Sequence, residues 1–163
     1  MEVALVPLES GHAPAMHRWM HDPVVAENLG LRSEPSLDKS LAYVEKANSD
    51  PTIHARAILA DDVHVGNVVL DRIDRTVRTA RLHIYVGEAS VRGHGVGKRA
   101  VSLAVRAAFE ELGLQKVWLT VHSGNARAIA TYVACGFQVE GVHRREFLLG
   151  GRLVDEIYMG VLA

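Results

Sequence analysis

Three glycines at alternate positions, Gly93, Gly95 and Gly97, follow an apolar, strand-like run and precede a segment with helical spacing of apolar residues. Glycine allows positive φ and lets a ligand approach the main chain closely. The first turn of a helix leaves backbone N–H groups without acceptors and carries a partial positive charge. The segment therefore favours binding of a phosphate-type anion, to which Lys98 and Arg92 could add charge. An ordinary glycine turn before a helix is the alternative.

Two familiar phosphate-binding motifs do not fit this segment. The dinucleotide-binding fingerprint needs two residues between its last two glycines, whereas one residue separates Gly95 from Gly97. A Walker A loop needs glycine where Arg92 stands and Ser or Thr where Arg99 stands. The pattern that fits is Arg/Gln-x-x-Gly-x-Gly/Ala, formed by Arg92, Gly95 and Gly97.

A second segment, Asn125–Phe137, combines an asparagine, an Ala-Ile pair, Tyr132 and a closing Gly-Phe, one strand after the glycines. The two segments together resemble the acetyl-CoA-binding motifs of the GCN5-related N-acetyltransferase (GNAT) superfamily. The resemblance covers essentially the whole chain and is strongest over residues 81–137. The chain also resembles the Rim-type branch of this superfamily, which includes ribosomal-protein N-terminal acetyltransferases. The residues that carry this resemblance are Trp19–Pro23, Glu140-Gly141, Arg144, Asp155 and Met159.

The resemblance implies a set of acetyl-CoA-binding residues. Backbone N–H groups from Arg92 to Lys98 would hold the pyrophosphate. The end of the fourth strand would pair with the pantetheine amides, with the Val86 N–H facing the thioester oxygen. Asn125 would hydrogen-bond the pantetheine arm. The implied residues are Tyr85, Val86, Gly87, Arg92, Gly93, His94, Gly95, Val96, Gly97, Lys98, Asn125 and Tyr132.

Tyr132 is the predicted general acid, because it matches the aromatic position of the family and a phenol is still protonated at pH 7. A core aromatic on an amphipathic helix is the alternative. His83, on the same strand face as Tyr85, is predicted to contact the acceptor amine and remove its proton. His122 and Glu88 are alternative bases. Glu34, in a loop between two helices, is predicted to bind a cationic acceptor.

No metal is predicted. His17 and His21 share one helix face but lack a third ligand, and one cysteine, Cys135, cannot form a Cys-based zinc site. Cys135 is expected to be a packed residue. With 18 Lys+Arg against 19 Asp+Glu, the net charge of -1 disfavours a nucleic-acid partner. No apolar run approaches the ~20 residues that cross a bilayer, and the N-terminus lacks signal-peptide features. A cytoplasmic protein is expected.

The elements that position these residues follow from the hydrophobic period. One domain over residues 1–163 is expected, with a mixed α/β GNAT fold. Its mostly antiparallel, twisted sheet has about seven strands and about four helices distributed on both faces. The first helix is expected to end near Asp22-Pro23, and Ser36 to cap the second. Further predicted elements include strands over 63–73 and 116–122 and helices after Gly97 and over 125–135.

The implied activity is direct transfer of an acetyl group from acetyl-CoA to a primary amine. The acceptor could be a protein N-terminus, a polyamine, an amino sugar or an aminoglycoside. A non-catalytic module that senses acyl-CoA or binds a partner is the alternative, which Tyr132 and the intact glycine segment disfavour. Rim-type relatives are commonly dimers, so a homodimer is one expectation.

Overall fold

A seven-stranded sheet organises the chain, and the computed structural model describes residues 1–163. The strands are β1 (Val3–Pro7), β2 (His54–Ala60), β3 (Val63–Asp74), β4 (Thr79–Val86), β5 (Lys116–His122), β6 (Gln138–Leu149) and β7 (Arg152–Leu162). The helices are α1 (Ala13–Met20), α2 (Pro23–Leu29), α3 (Leu37–Ser49), α4 (Val96–Glu110) and α5 (Ala126–Ala134), with short 3-10 helices at Ser10–His12 and Ala89–Val91. The predicted mixed α/β class is confirmed.

The strand order is β1-β2-β3-β4-β5-β7-β6. Every neighbouring pair is antiparallel except β4 and β5, which run parallel. Parallel neighbours need a long crossover connection, and α4 provides it. The predicted, mostly antiparallel sheet is therefore correct, and its single parallel pair lies beside the glycine segment.

The two faces of the sheet bury different cores. On the face that carries α4, called the α4 face, 21 buried residues form one cluster that includes Leu82, Val101 and Tyr132. On the opposite face, called the α3 face, nine buried residues cluster beneath α1 and α3, with Trp19 and Val69 among them. Because side chains alternate along a strand, neighbouring residues of β4 contribute to opposite layers.

The structure contains α2, a helix that was not predicted. Asp22-Pro23 was expected only to end the first helix, but it also begins the next one. The Asp22 carboxylate accepts a hydrogen bond from the Val24 N–H at 2.9 Å, and Pro23 occupies the first helical position. Proline is favoured there because its missing N–H would have no intrahelical acceptor. The helix ends at Gly30, which has a φ of 63°.

The other helix boundaries agree better with the sequence patterns. The Ser36 hydroxyl accepts a hydrogen bond from the Lys39 N–H at 3.1 Å, so Ser36 caps α3 as predicted. No helix of the protein combines the length and apolar character needed to cross a membrane.

Candidate active site

A gap opens between β4 and β5. These strands pair only over Thr79–Arg81 and Lys116–Trp118, and both continue beyond the last pair. The N–H of Gly87 donates to the Val65 carbonyl oxygen on β3 at 2.8 Å. Because successive N–H groups point to opposite sides of a strand, the Val86 N–H points away from β3 and into the gap. The β4 edge can therefore hydrogen-bond an extended, amide-containing ligand.

The glycine bend, residues 93–97, lies at the start of α4. Gly95 precedes the helix with a φ of 79°, and no atom would lie within 4 Å of a Cβ built on it. The first hydrogen bond of α4 runs from the Arg99 N–H to the Gly95 carbonyl oxygen at 3.1 Å. The N–H groups of Val96, Gly97 and Lys98 precede it and have no backbone acceptor. They form a site for an anion.

Two N–H groups within the predicted pyrophosphate segment are already used. The Arg92 N–H donates to Ala89 at 3.2 Å, and the His94 N–H donates to Val91 at 3.4 Å. The anion site is therefore concentrated at the glycines and the first helical turn.

The Arg92 side chain does not reach toward the bend, although added charge from it was expected. Its Nε donates to the Val86 carbonyl oxygen at 2.9 Å, and its Nη2 donates to the Gly87 carbonyl oxygen and to Asp22 Oδ2, both at 2.8 Å. The hydrogen bond from Arg92 lowers the pKa of Asp22. Arg92 thus joins the end of β4 to the start of α2, and Asp22 neutralises its charge.

Arg127 is the cation that the structure adds to this site. The first turn of α5 brings its Nη2 to within 3.3 Å of the position that a Cβ would take on Gly93. Arg127 forms no salt bridge with a carboxylate. Lys98 is exposed on the first turn of α4. These two cations can face an anion in the bend.

Tyr132 and Asn125 lie on the β5 side of the gap. Tyr132, on α5, is only 8% exposed, packs 5.8 Å from the Phe137 ring, and has its pKa raised by burial to about 12. The phenol therefore keeps its proton at neutral pH. The side-chain Oδ1 of Asn125 caps α5 by accepting a hydrogen bond from the Ala128 N–H at 3.1 Å. This leaves the side-chain NH2 of Asn125 free to donate to a ligand.

His83 lies on β4 beside a buried carboxylate. Its Nε2 is 3.3 Å from Asp71 Oδ2, close enough for ionic attraction but without hydrogen-bond geometry. Arg81 binds both oxygens of Asp71, at 2.8 and 2.6 Å. Despite the opposing effect of burial, the close contacts of Asp71 with His83 and Arg81 lower its pKa. The His83 side chain is 37% exposed, so it is accessible on the α3 face.

His122 ends β5 on the other side of the gap. Its Nε2 lies 2.8 Å from Asn28 Oδ1 on α2, and its ring contacts Phe147 at 5.1 Å. The residue is 6% exposed, and its Nδ1 is buried without a partner. Burial lowers the pKa of His122, so the ring is neutral at pH 7, while the charge of Glu27 partly opposes the shift.

The Tyr85 side chain points away from the gap, toward α1. Its hydroxyl accepts a hydrogen bond from Asn67 Nδ2 at 2.8 Å, and Asn67 Oδ1 lies 2.9 Å from His64 Nε2. Burial raises the pKa of Tyr85. The neighbouring Gly87 has no room for a side chain, since a Cβ would lie 2.0 Å from the Trp19 ring. Tyr85 and Gly87 therefore direct no side chain into the gap. Their main-chain N–H groups lie on the β3 side of the strand, and that of Gly87 is bonded to Val65.

Three other residues that the sequence analysis considered are Glu34, Glu88 and Cys135. Glu34 lies in the exposed loop before α3, where its carbonyl oxygen accepts a hydrogen bond from Lys39 Nζ. The Glu88 carboxylate is 3.3 Å from Arg18 and well exposed. Cys135 is partly buried, with its Sγ 3.5 Å from the Lys98 carbonyl oxygen.

Asp155, one of the residues that carry the Rim-type resemblance, orients backbone. Its Oδ1 accepts a hydrogen bond from the Arg145 N–H at 3.1 Å, at a β6 residue with a φ of 55°.

Sequence reasoning missed Asp71, Arg127 and Glu156. Asp71 and Glu156 lie on strands, where an acidic residue gives no local signal of the side chains that it meets on neighbouring strands. Arg127 stands inside the recognised Asn125–Phe137 segment, two residues after Asn125, and a helical projection could have placed it on the first turn beside the bend.

The arrangement offers an anion site at the glycine bend, an open strand edge on β4, a buried phenol on the β5 side of the gap, and titratable side chains on the α3 face. The unpaired N–H groups and open space at Gly95 fit a pyrophosphate, and the Val86 edge fits the pantetheine amides. The residues present therefore suit coenzyme A.

Comparisons with known proteins agree with this geometry. The model of the acetyltransferase (GNAT) domain family matches residues 2–138. Spermidine N(1)-acetyltransferase of Escherichia coli strain K12 is 29% identical over 148 residues, covering 91% of this chain and 74% of that protein. The crystal structure of spermidine N-acetyltransferase from Vibrio cholerae, in complex with CoA and spermine, superposes with a TM-score of 0.91 at 25% identity, covering 98% and 95% of the two chains. The alpha/beta-tubulin-N-acetyltransferase 9 of Drosophila melanogaster is 26% identical over 141 residues, covering 78% and 70%.

Proposed function

Because the chain belongs to the GNAT family of acetyltransferases and uses acetyl-CoA to acetylate amines, we propose that its acceptor is a polyamine. Two observations support this class of acceptor. The Escherichia coli and Vibrio cholerae relatives are spermidine acetyltransferases, and the latter was crystallised with CoA and spermine. The α3 face, beside the gap, also carries the carboxylate of Glu156, and carboxylates attract polycations.

The observation that carries the acetyltransferase function is the run of unpaired N–H groups at the glycine bend next to the open β4 edge, which together suit acetyl-CoA. In our proposal the pyrophosphate binds the N–H groups of Gly93, Gly95, Val96, Gly97 and Lys98, with Arg127 and Lys98 facing its charge. The pantetheine arm pairs with the open backbone edge of β4 around Val86 and accepts a hydrogen bond from the Asn125 amide. Arg92 and His94 shape the bend.

The proposed chemistry is direct transfer. His83, whose Nε2 faces Asp71, takes a proton from the acceptor ammonium on the α3 face. The neutral amine attacks the thioester carbon, and the Val86 N–H stabilises the oxyanion. As the carbon–sulfur bond breaks, the electron pair goes to sulfur, and Tyr132 gives its proton to the departing thiolate. The attacking nitrogen loses its second proton to solvent, solvent returns a proton to Tyr132, and His83 releases its proton to solvent. The products are an N-acetyl amine, coenzyme A and one proton.

A protein N-terminus is the second candidate acceptor. The Rim-type resemblance and the tubulin acetyltransferase relative favour it. Glu34, in the exposed loop that follows α2, would meet a cationic acceptor of either kind.

We also propose that residues 1–163 act as one domain, since all seven strands belong to one sheet. A cytoplasmic setting is supported by a single free cysteine, which suits a reducing compartment. A homodimer is supported by β6, an edge strand on which Val139 and Val142 are exposed.

The experiment that tests the function follows free thiol release from acetyl-CoA with matched amines. We expect spermidine and spermine to give much higher kcat/KM than an amino-terminal peptide, an amino sugar or an aminoglycoside. A peptide that outperforms both polyamines would overturn the polyamine assignment and favour the second candidate.

A further inference from the structure

Glu156 lies in the middle of one rung of the sheet on the α3 face. It is paired in register with His122 on β5 and with His143 on β6. Directly paired residues on antiparallel strands project to the same side, so these three side chains face the same space. His122 ends β5 at the gap, and Glu156 therefore lies one strand, about 4.8 Å, further from the gap.

The Glu156 carboxylate lacks the cationic partner that its burial calls for. Its side chain is only 19% exposed, and its nearest basic atom is His143 Nδ1 at 3.7 Å. Histidine carries a full charge only when protonated. Asp71 and Asp22, with comparable exposure of 17% and 27%, are held by Arg81 and Arg92 at 2.6 and 2.8 Å. Hydrogen bonding to Asp71, and to a smaller extent the charge of Glu156, raises the pKa of Arg81. The guanidinium group of Arg81, however, hydrogen-bonds Asp71 and not Glu156.

A second acceptor atom without a donor lies on the same rung. His122 Nε2 faces an acceptor, Asn28 Oδ1, and so carries the ring proton. Nδ1 of this neutral ring is then an acceptor, and it is buried without a partner. A carboxylate and an imidazole nitrogen that both lack donors call for a ligand group rich in N–H bonds. An ammonium supplies three donors and the missing positive charge.

We propose that Glu156 binds the second, non-reacting ammonium of a diamine or polyamine acceptor, an inference that rests on the proposed polyamine acetylation. The reacting amine must be neutral to attack, so a carboxylate that stabilises its protonated form would slow the reaction. A partner one strand away from the gap avoids that conflict. Glu156 thus makes the enzyme favour acceptors with two cationic centres.

The test compares spermidine with butylamine, which has a reacting amine and an alkyl chain but no second ammonium. In thiol-release assays, we expect Glu156→Gln to raise the KM for spermidine about tenfold, the scale of one charge-assisted hydrogen bond. The kcat for spermidine and all constants for butylamine should change little. Glu140→Gln is the matched control, since Glu140 lies on the same hairpin and is paired with Lys116 at 2.6 Å. It should leave the KM for spermidine unchanged.

Glu156→Asp keeps the charge on a shorter side chain and should give an intermediate KM, which preserves the test if the glutamine variant is poorly folded. Equal KM for spermidine in the wild type and in a folded Glu156→Gln variant would overturn the role of Glu156 alone. Wild-type protein that acetylates other amines but neither spermidine nor spermine would overturn the polyamine assignment, and the role of Glu156 with it.

Discussion

The two sides of the β4–β5 gap differ in the chemical groups that they present to a ligand. The proposed cofactor side, meaning the β4 edge, the glycine bend and the first turns of α4 and α5, presents mainly main-chain N–H groups. The proposed acceptor side, meaning the α3 face around His83, His122 and Glu156, presents side chains from three separate strands. Main-chain recognition leaves a local signature in the sequence, because it needs glycines at fixed spacing. Side-chain recognition across strands depends on register, which sequence does not show directly.

The largest expected effect tests the cofactor side. Tyr132→Phe removes the proposed proton donor but keeps the buried ring, so we expect kcat to fall about 1,000-fold. The dissociation constant for acetyl-CoA, measured by calorimetry, should stay within about twofold. Tyr158→Phe is the control, since Tyr158 stacks on Trp118 outside the gap. A fully active Tyr132→Phe protein would remove Tyr132 from the mechanism.

The next effect tests the acceptor side. His83→Gln should lower kcat/KM about 100-fold at neutral pH by removing the proposed base. The deficit should shrink as the pH rises, because a growing fraction of alkyl amine is already neutral as the pH approaches about 10. The measured quantity is the ratio of kcat/KM for the variant to kcat/KM for the wild type, determined at several pH values. His54→Gln on β2 is the control. A deficit that does not change with pH would assign His83 to acceptor binding alone.

The smallest effect separates main-chain shape from side-chain contact on the cofactor side. Gly95 has a φ of 79° and open space around it, so Gly95→Ala adds conformational strain without a clash. A cost of ~1 kcal/mol predicts acetyl-CoA binding weakened about fivefold in calorimetry. Gly97→Ala, where φ is not positive and a Cβ would meet only Val86 Cγ2 at 3.9 Å, should bind more tightly than Gly95→Ala. The reverse order would show that close approach, not φ, matters in the bend.

Much of the fold was predictable because its periodic elements are unambiguous. The period-2 run over Lys116–His122 predicts β5 with the observed limits, and Ser36 caps α3 as its residue type indicates. The missed helix, α2, shows where such reasoning ends. Asp22-Pro23 is equally suited to end one helix and to begin another, and only the packing of the following residues decides that both occur.

The candidate site divides in the same way. The glycine bend, Asn125 and Tyr132 could be predicted as candidates because their spacing is local. Glu156 could not be predicted, because its proposed role depends on its lying between two histidines on strands that are distant in sequence. The side chain of Arg92 was misplaced for a related reason, since its partner Asp22 lies 70 residues away.

The guanidinium of Arg92 has a mechanical consequence for the whole enzyme. One rigid planar group clamps the last carbonyls of β4 and the cap of α2 at the same time. Any outward swing of α2, which carries Asn28 against His122, must therefore either break the Arg92–Asp22 bond or pull on the end of β4. The position of α2 and the position of the proposed thioester-binding strand edge are thus mechanically linked through Arg92.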